Sequence, residues 1–147
     1  PAKTVGKASP VLGKSLAKEL QAGTITADLF TKEKRKVLLH GHCHQKALSS
    51  VDASAWVCGL PENYEVEVVP SGCCGMAGSF GYEAEHYEVS MKVGELVLFP
   101  AIREALQVAN LQQPIIAAPG TSCRHHILDG TGRKALHPVE VLCEALA

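Results

Sequence analysis

The sequence predicts an α/β domain: a parallel sheet of about four strands, helices on both faces, and cysteine turns at the carboxyl edge. Three observations lead there. Strand-like and helix-like patterns alternate along the 147 residues, as parallel strands joined by right-handed crossovers require. Ile115-Ile116-Ala117-Ala118 is apolar on both faces, the mark of a central parallel strand. Turns bearing cysteine follow three of the apolar runs, and the carboxyl ends of strands are where such sheets bind ligands.

Each element has its own signal. Residues 1–8 read as a loose arm. Ser9-Pro10 reads as a helix N-cap with proline at the first helical position. Leu12, Leu16 and Leu20 then share one helical face, and Gly23 closes the helix. The basic run Lys32 to Lys36 is a solvated lead-in. Val37 to His40 is a strand, and it ends in Gly41-His42-Cys43-His44. A helix is expected from about Gln45 to Val57, with Leu48, Val51, Ala55 and Cys58 on the inner face and Cys58 in the core. Tyr64, Val66 and Val68 alternate with Glu65 and Glu67, the period of a half-exposed edge strand. That strand runs into Ser71-Gly-Cys-Cys-Gly-Met-Ala-Gly-Ser-Phe-Gly81.

A helix over Tyr82 to Leu98 is expected next, facing inward with Tyr82, His86, Val89, Val93 and Leu96. Pro100 restarts it, and it runs on to about Ala109. The strand at 114–118 leads into Pro119-Gly120-Thr121-Ser122-Cys123-Arg124-His125-His126. Asp129 to Gly132 reads as a loop, and Lys134 to His137 as a fourth short strand. Pro138 opens a last helix whose inner face is Val139, Leu142, Cys143 and Leu146, placing Cys143 in the core. Strands 37–40 and 114–118 belong in the middle of the sheet.

Composition narrows the function. Apolar residues make up 46% and charged residues 20%, an ordinary globular balance. A net charge of −1 gives no reason to expect nucleic acid or an acidic membrane surface. No apolar run reaches the length of a membrane-spanning helix, about 18 residues or more, and no signal peptide is recognisable. The chain opens on Pro1 without a methionine and reads as one piece of a longer protein.

The topology brings Cys43, Cys73, Cys74 and Cys123 to one crevice. Thiolates hold zinc and iron–sulfur clusters, usually four at a time. Adjacent thiolates reach one tetrahedral ion awkwardly and serve two irons of a cluster more comfortably. Gly72, Gly75 and Gly78 free the turn to offer backbone N–H groups to a cofactor, and the next helix points its positive end there. His42, His44, His125 and His126 flank the cysteines as candidate ligands, proton carriers or donors to ligands. His86 reads as a packed face residue.

Other readings remain open on the residues alone. A zinc module would use the same thiols, with a histidine in place of one. The four thiols could be buried without a ligand. Cys43 between two histidines, or Cys123 before two, would suit a thiol nucleophile, which leaves three cysteines unexplained. Disulfides fit poorly with strong α/β patterning and with adjacent cysteines, so a reducing compartment is expected.

His42-Cys43-His44-Gln45-Lys46-Ala47-Leu48, Gly72-Cys73-Cys74-Gly75-Met76-Ala77-Gly78-Ser79-Phe80-Gly81 and Thr121-Ser122-Cys123-Arg124-His125 together resemble the cysteine-rich CCG domain. That domain occurs in heterodisulfide reductase, in the iron–sulfur subunit of glycolate oxidase and in lactate-utilisation proteins. It also forms the C-terminal part of FAD-linked D-lactate or 2-hydroxyglutarate dehydrogenase-like proteins, to which the wording of the turns looks closest. The resemblance covers about residues 37–142. It implies an iron–sulfur cluster, or in some members zinc, on Cys43, Cys73, Cys74 and Cys123. The family pattern often ends in Cys-x-x-Cys, whereas here His126 stands in the last position. Many members carry two copies of the motif, and this chain has one.

The residue pattern gives an arm and helix over 1–36; the resemblance further implies a CCG-type domain over 37–147 and an oxidoreductase acting on 2-hydroxy acids such as D-lactate or glycolate. FAD would sit on another part of the protein. FAD-binding and ferredoxin-type domains of the same protein or complex would be the partners. The setting it implies is the cytoplasm, peripheral to the inner membrane through those partners.

Overall fold

Three parallel strands carry the architecture of the computed structural model, which describes residues 12–108 and 112–147. β1 (Arg35–Leu39) lies between β2 (Tyr64–Val68) and β3 (Ile115–Ala117). Val37 pairs with Val66 and Ile115, and Leu39 with Val68 and Ala117. The expected fourth strand at 134–137 is a single parallel bridge between Leu136 and Ala117. It stops there because His137 is already the N-cap of the following helix. With that bridge, β1 and β3 have neighbours on both sides, and β2 forms the expected half-exposed edge.

Seven helices are described: α1 (Leu12–Gln21), α2 (Cys43–Leu48), α3 (Asp52–Cys58), α4 (Tyr87–Leu96), α5 (Leu98–Val108), α6 (Thr121–Thr131) and α7 (Pro138–Glu144). Strand alternation divides the core in two. Leu38 and Ile116 point to the face covered by Leu98, Phe99 and Ile102 of α5 and Ile127 of α6. Val37, Leu39, Ile115 and Ala117 point to the other, with Cys58 of α3 and Val141 of α7. Phe30, Val57 and Leu142 close a third cluster, against which Leu16 of α1 packs. Gly23, at φ 74, ends α1 as expected. The expected arm at 1–8, the Ser9-Pro10 cap and the helix end at Ala109 lie outside the described residues.

Several expectations need correction. The helix expected over 45–57 is two, α2 and α3, because Ser49 is extended and its hydroxyl donates to Gln45 O at 3.2 Å. A serine hydroxyl on the backbone competes with helix continuation. Leu48 is thereby turned outward and exposed, while Val51 and Ala55 pack beside Cys58 as expected. The helix expected from Tyr82 begins only at Tyr87, after a short turn of 3-10 helix at Phe80–Tyr82. Tyr82, Val89 and Leu96 of its expected inner face are exposed, and Ser90 and Gly94 are buried instead. Small residues are needed on that side, since a Cβ on Gly94 would lie 2.4 Å from the ring of the fully buried Phe99. His86 is packed as expected, stacked on Phe80 at 4.0 Å between centroids and paired with Glu83 at 2.8 Å.

The loop expected at 129–132 is the last turn of α6, and Gly132 at φ 69 ends it. Gly130 sits inside this helix for the same reason as Gly94: a Cβ there would lie 2.3 Å from Phe99. Cys143, expected in the core, is exposed. Helix α7 buries Pro138, Val141, Leu142 and the following Ala145, one residue out of step with the expected stripe of 139, 142, 143 and 146. Both stripes satisfy the helical period, so their spacing alone could not choose between them.

The α7 start supplies a first testable expectation. His137 Nδ1 accepts from Val139 N at 3.2 Å, and Glu140 Oε2 accepts from His137 N at 2.6 Å, a reciprocal capping box. Burial, with Arg124 adding, holds the His137 pKa below its ordinary value. A lowered folded pKa gives stability that is present above the ordinary value, about 6.5, and is lost as pH falls through the folded one. His137→Ala is expected to cost about 1 kcal/mol at neutral pH, the usual worth of a cap. Urea unfolding of both proteins across the mildly acidic range measures this, and the cost should shrink as His137 gains its proton.

Candidate metal centre

The carboxyl ends of the strands converge on one corner. His40 follows β1 and stays in the ladder, its N–H donating to Ala117 O at 2.8 Å. Val69 follows β2, and its N–H donates to Leu39 O at 2.9 Å. Strand alternation puts His40 on the same face as Leu38. Each strand then delivers a cysteine. Cys43 is the first residue of α2, Cys73 and Cys74 lie in the turn after β2, and Cys123 lies in the first turn of α6.

Two cationic side chains staple these pieces together. Lys46 Nζ of α2 donates to Ser71 O and reaches Gly72 O at 3.4 Å, tying α2 to the double-cysteine turn. Arg124 Nη1 donates to Ala118 O at 3.0 Å and Pro119 O at 3.2 Å, folding the start of α6 back on the end of β3.

The corner has an inner and an outer part. Inside, one donor atom each from His40, Cys74 and Cys123 lies within 4.8 Å of the others, and all three residues are buried. Further out, Cys43 and Cys73 are half-buried and adjacent. Burial, with Cys73 beside it, pushes the Cys43 thiol up. Cys73 Sγ accepts from Gly75 N at 3.3 Å. An open depression of about 490 Å³, lined by His42, Cys43, His44, Ala47, Ala77 and Gly78, leads from solvent to Cys43.

Charge in the inner part is uneven. The Cys123 thiol beside it holds Cys74 below the usual thiol range despite burial. Cys123 is pushed up by its bond to Cys74 and by burial. The pair therefore gives up one proton readily and shares the other. Binding a metal would release that second proton, because thiolate is the ligating form. The N-terminal end of α6 lies beside the resulting charge. By contrast Cys58 is pushed up to about 12 by burial alone and remains a neutral core thiol.

The four histidines that the sequence singles out have separate fates. His42 stands at the N-cap position of α2 with no side-chain capping bond, its ring lying where a side chain on Gly120 would go. Burial lowers its pKa. His44 is exposed, edge-on to His42 at 6.3 Å. His125 is exposed beside Tyr82, and His126 is buried with Nε2 3.1 Å from Ser90 O. Sequence reasoning missed His40, although its place just after β1 and three residues before Cys43 was a usable signal. It also missed Ser71, Lys46 and Arg124. Of the three turn glycines, Gly75 has φ 117 and Gly78 φ 75, while Gly72 and Gly78 face open space.

The donor set fits a thiophilic metal. Besides the thiols, His40 Nε2 is buried without a hydrogen-bond partner, an orphan atom that a metal would satisfy. Fold and donor set together define a cysteine-rich α/β domain able to hold a metal.

Comparison with known proteins finds relatives that are dehydrogenases or dehydrogenase subunits. The chain is 32% identical to D-2-hydroxyglutarate dehydrogenase of Escherichia coli K12 over 109 residues, 72% of this chain and 10% of that protein. It is 27% identical to one subunit of the anaerobic glycerol-3-phosphate dehydrogenase of the same organism over 112 residues, 76% of this chain and 26% of that polypeptide. A D-2-hydroxyglutarate dehydrogenase of Pseudomonas putida matches at 29% over 107 residues, again 10% of its length. The chain therefore spans a small part of each relative it matches. No family model matches it, and no solved structure does. No described helix is long and apolar enough to cross a membrane.

Proposed function

We propose that this chain is a CCG-type metal-binding domain of an FAD-linked oxidoreductase acting on a 2-hydroxy acid, and that it relays electrons from flavin to an acceptor. The observation that carries this is the meeting of Cys43, Cys73, Cys74 and Cys123 at one corner of a parallel sheet. The oxidoreductase relatives support the chemistry. Cys43, Cys73, Cys74 and Cys123 hold an iron–sulfur cluster, which when bound supplies one-electron transfer. Gly75 N–H donates to Cys73 Sγ, and Gly72 and Gly78 leave the turn open for a cofactor to approach. Lys46 and Arg124 hold the three turns in register. The depression over Cys43 is the side from which a partner domain approaches. Residues 37–147 form the domain, and FAD-binding and ferredoxin-type domains complete the protein or complex. The assembly works in the cytoplasm, peripheral to the inner membrane.

A second reading, a single zinc ion, is favoured by one observation. Two thiols and an imidazole within 4.8 Å suit a tetrahedral ion with a fourth ligand from Cys43 or Cys73.

Iron, zinc and sulfide analysis of the chain purified without oxygen tests both. Iron and sulfide in stoichiometric amounts, with visible absorption, are expected. Zinc alone under the same conditions overturns the electron-relay role in favour of a structural ion. In addition, the isolated chain is expected to show no turnover of 2-hydroxy acids with an artificial acceptor. Robust turnover would make it a self-sufficient enzyme.

A further inference from the structure

We infer that His40 is a direct metal ligand through Nε2 and that Ser71 is the positioning residue that presents it. This rests on the metal-centre reading above and adds a nitrogen donor to it. Three independent features of His40 point the same way.

The first is burial with an orphan atom. His40 is 1% exposed, and its Nε2 has no hydrogen-bond partner. A buried imidazole nitrogen without a partner is costly, so such atoms are uncommon unless something outside the polypeptide satisfies them. The second is direction. His40 shares a compact donor group with Cys74 and Cys123, each at most 2% exposed. The third is the opposite nitrogen. His40 Nδ1 lies 2.7 Å from Ser71 Oγ, and Ser71 is itself buried. A neutral imidazole carries one N–H. With Nδ1–H given to Ser71 Oγ, the lone pair stands on Nε2, facing the thiols. Metal-bound histidines are usually held in this way by a partner on the far nitrogen.

Ser71 is fixed in turn. Its carbonyl accepts from Lys46 Nζ, whose own helix begins with Cys43. One chain of contacts thus runs from α2 through Ser71 and His40 to the inner sulfurs. No other described histidine belongs to such a donor group: His126 Nε2 is taken up by Ser90 O, and His44 and His125 are exposed. A neutral imidazole adds a donor to the site without adding negative charge, which suits a buried position.

The test is X-ray absorption at the edge of whichever metal the anaerobic chain holds. Imidazole scattering is expected in the unaltered chain and in a His42→Ala/His44→Ala double variant, and lost in His40→Cys, which should still bind metal. Ser71→Ala is expected to keep the imidazole signal with about 10- to 100-fold weaker metal binding in chelator competition. The double variant leaves the core untouched, so its spectrum decides even if His40→Cys fails to fold. Metal bound by sulfur alone, or imidazole scattering lost in the double variant, overturns the assignment of His40 and leaves the metal centre standing. Absence of any stoichiometric metal overturns both.

Discussion

Cys74→Ser is expected to weaken metal binding at the centre by roughly 100-fold, so that the metal is lost to a competing chelator. Cys74 is 2% exposed and belongs to the inner donor group with Cys123 and His40, so its sulfur lies inside the site. Structural zinc bound by four ligands contributes about 10–16 kcal/mol, so losing one thiolate costs on the order of 3 kcal/mol, roughly 100-fold in affinity. Cys73→Ser is expected to lose iron and visible absorption as well. Cys58→Ser is the informative control. It places a hydroxyl among Val37, Leu39 and Val141 and should cost about 1–3 kcal/mol of stability while keeping metal and colour. Metal analysis and thermal unfolding of the three anaerobic variants separate loss of ligand from loss of fold. Full metal content in Cys74→Ser would remove the inner thiol from the ligand set.

Gly75→Ala is expected to do comparable damage without touching a ligand. Gly75 has φ 117, a conformation L-residues rarely adopt. A Cβ there would lie 2.2 Å from Ser90 O and 3.0 Å from His126 Nε2, so the turn must move away from α4. Backbone strain of this kind costs about 1–3 kcal/mol, and the displacement adds to it. Because Gly75 follows Cys74 directly and its N–H donates to Cys73 Sγ, both sulfurs shift with it. Urea unfolding should show a loss of about 3 kcal/mol together with reduced metal content. Gly72→Ala is the matched comparison: its Cβ would meet nothing within 4 Å, and a change within about 0.5 kcal/mol is expected. Equal stability and metal content in the two variants would show that the turn is not held by its contact with α4.

The sequence by itself determined the class of fold and the corner where the cysteines meet. Those features depend on patterns that survive without knowledge of packing. Alternation at 64–68, a doubly apolar run at 115–118 and cysteine turns after successive strands can be assembled in few ways once crossovers are right-handed. Cys58 in the core and the helix stop at Gly23 were legible for the same local reasons.

Tertiary structure alone decided which helical stripe faces inward. In α4 the buried side is Ser90 and Gly94, because Phe99 needs the space, and Val89 and Leu96 are left outside. Apolar character permits burial and does not require it. In α7 a shift of one residue moved Cys143 to the surface, since two stripes with equal spacing compete and only the sheet selects one. His40 was hidden for a related reason. As a polar residue at the end of an apolar strand it carries no periodic signal. Its relation to Cys74 and Cys123 exists only once the turn after β2 and the first turn of α6 close over the end of β1.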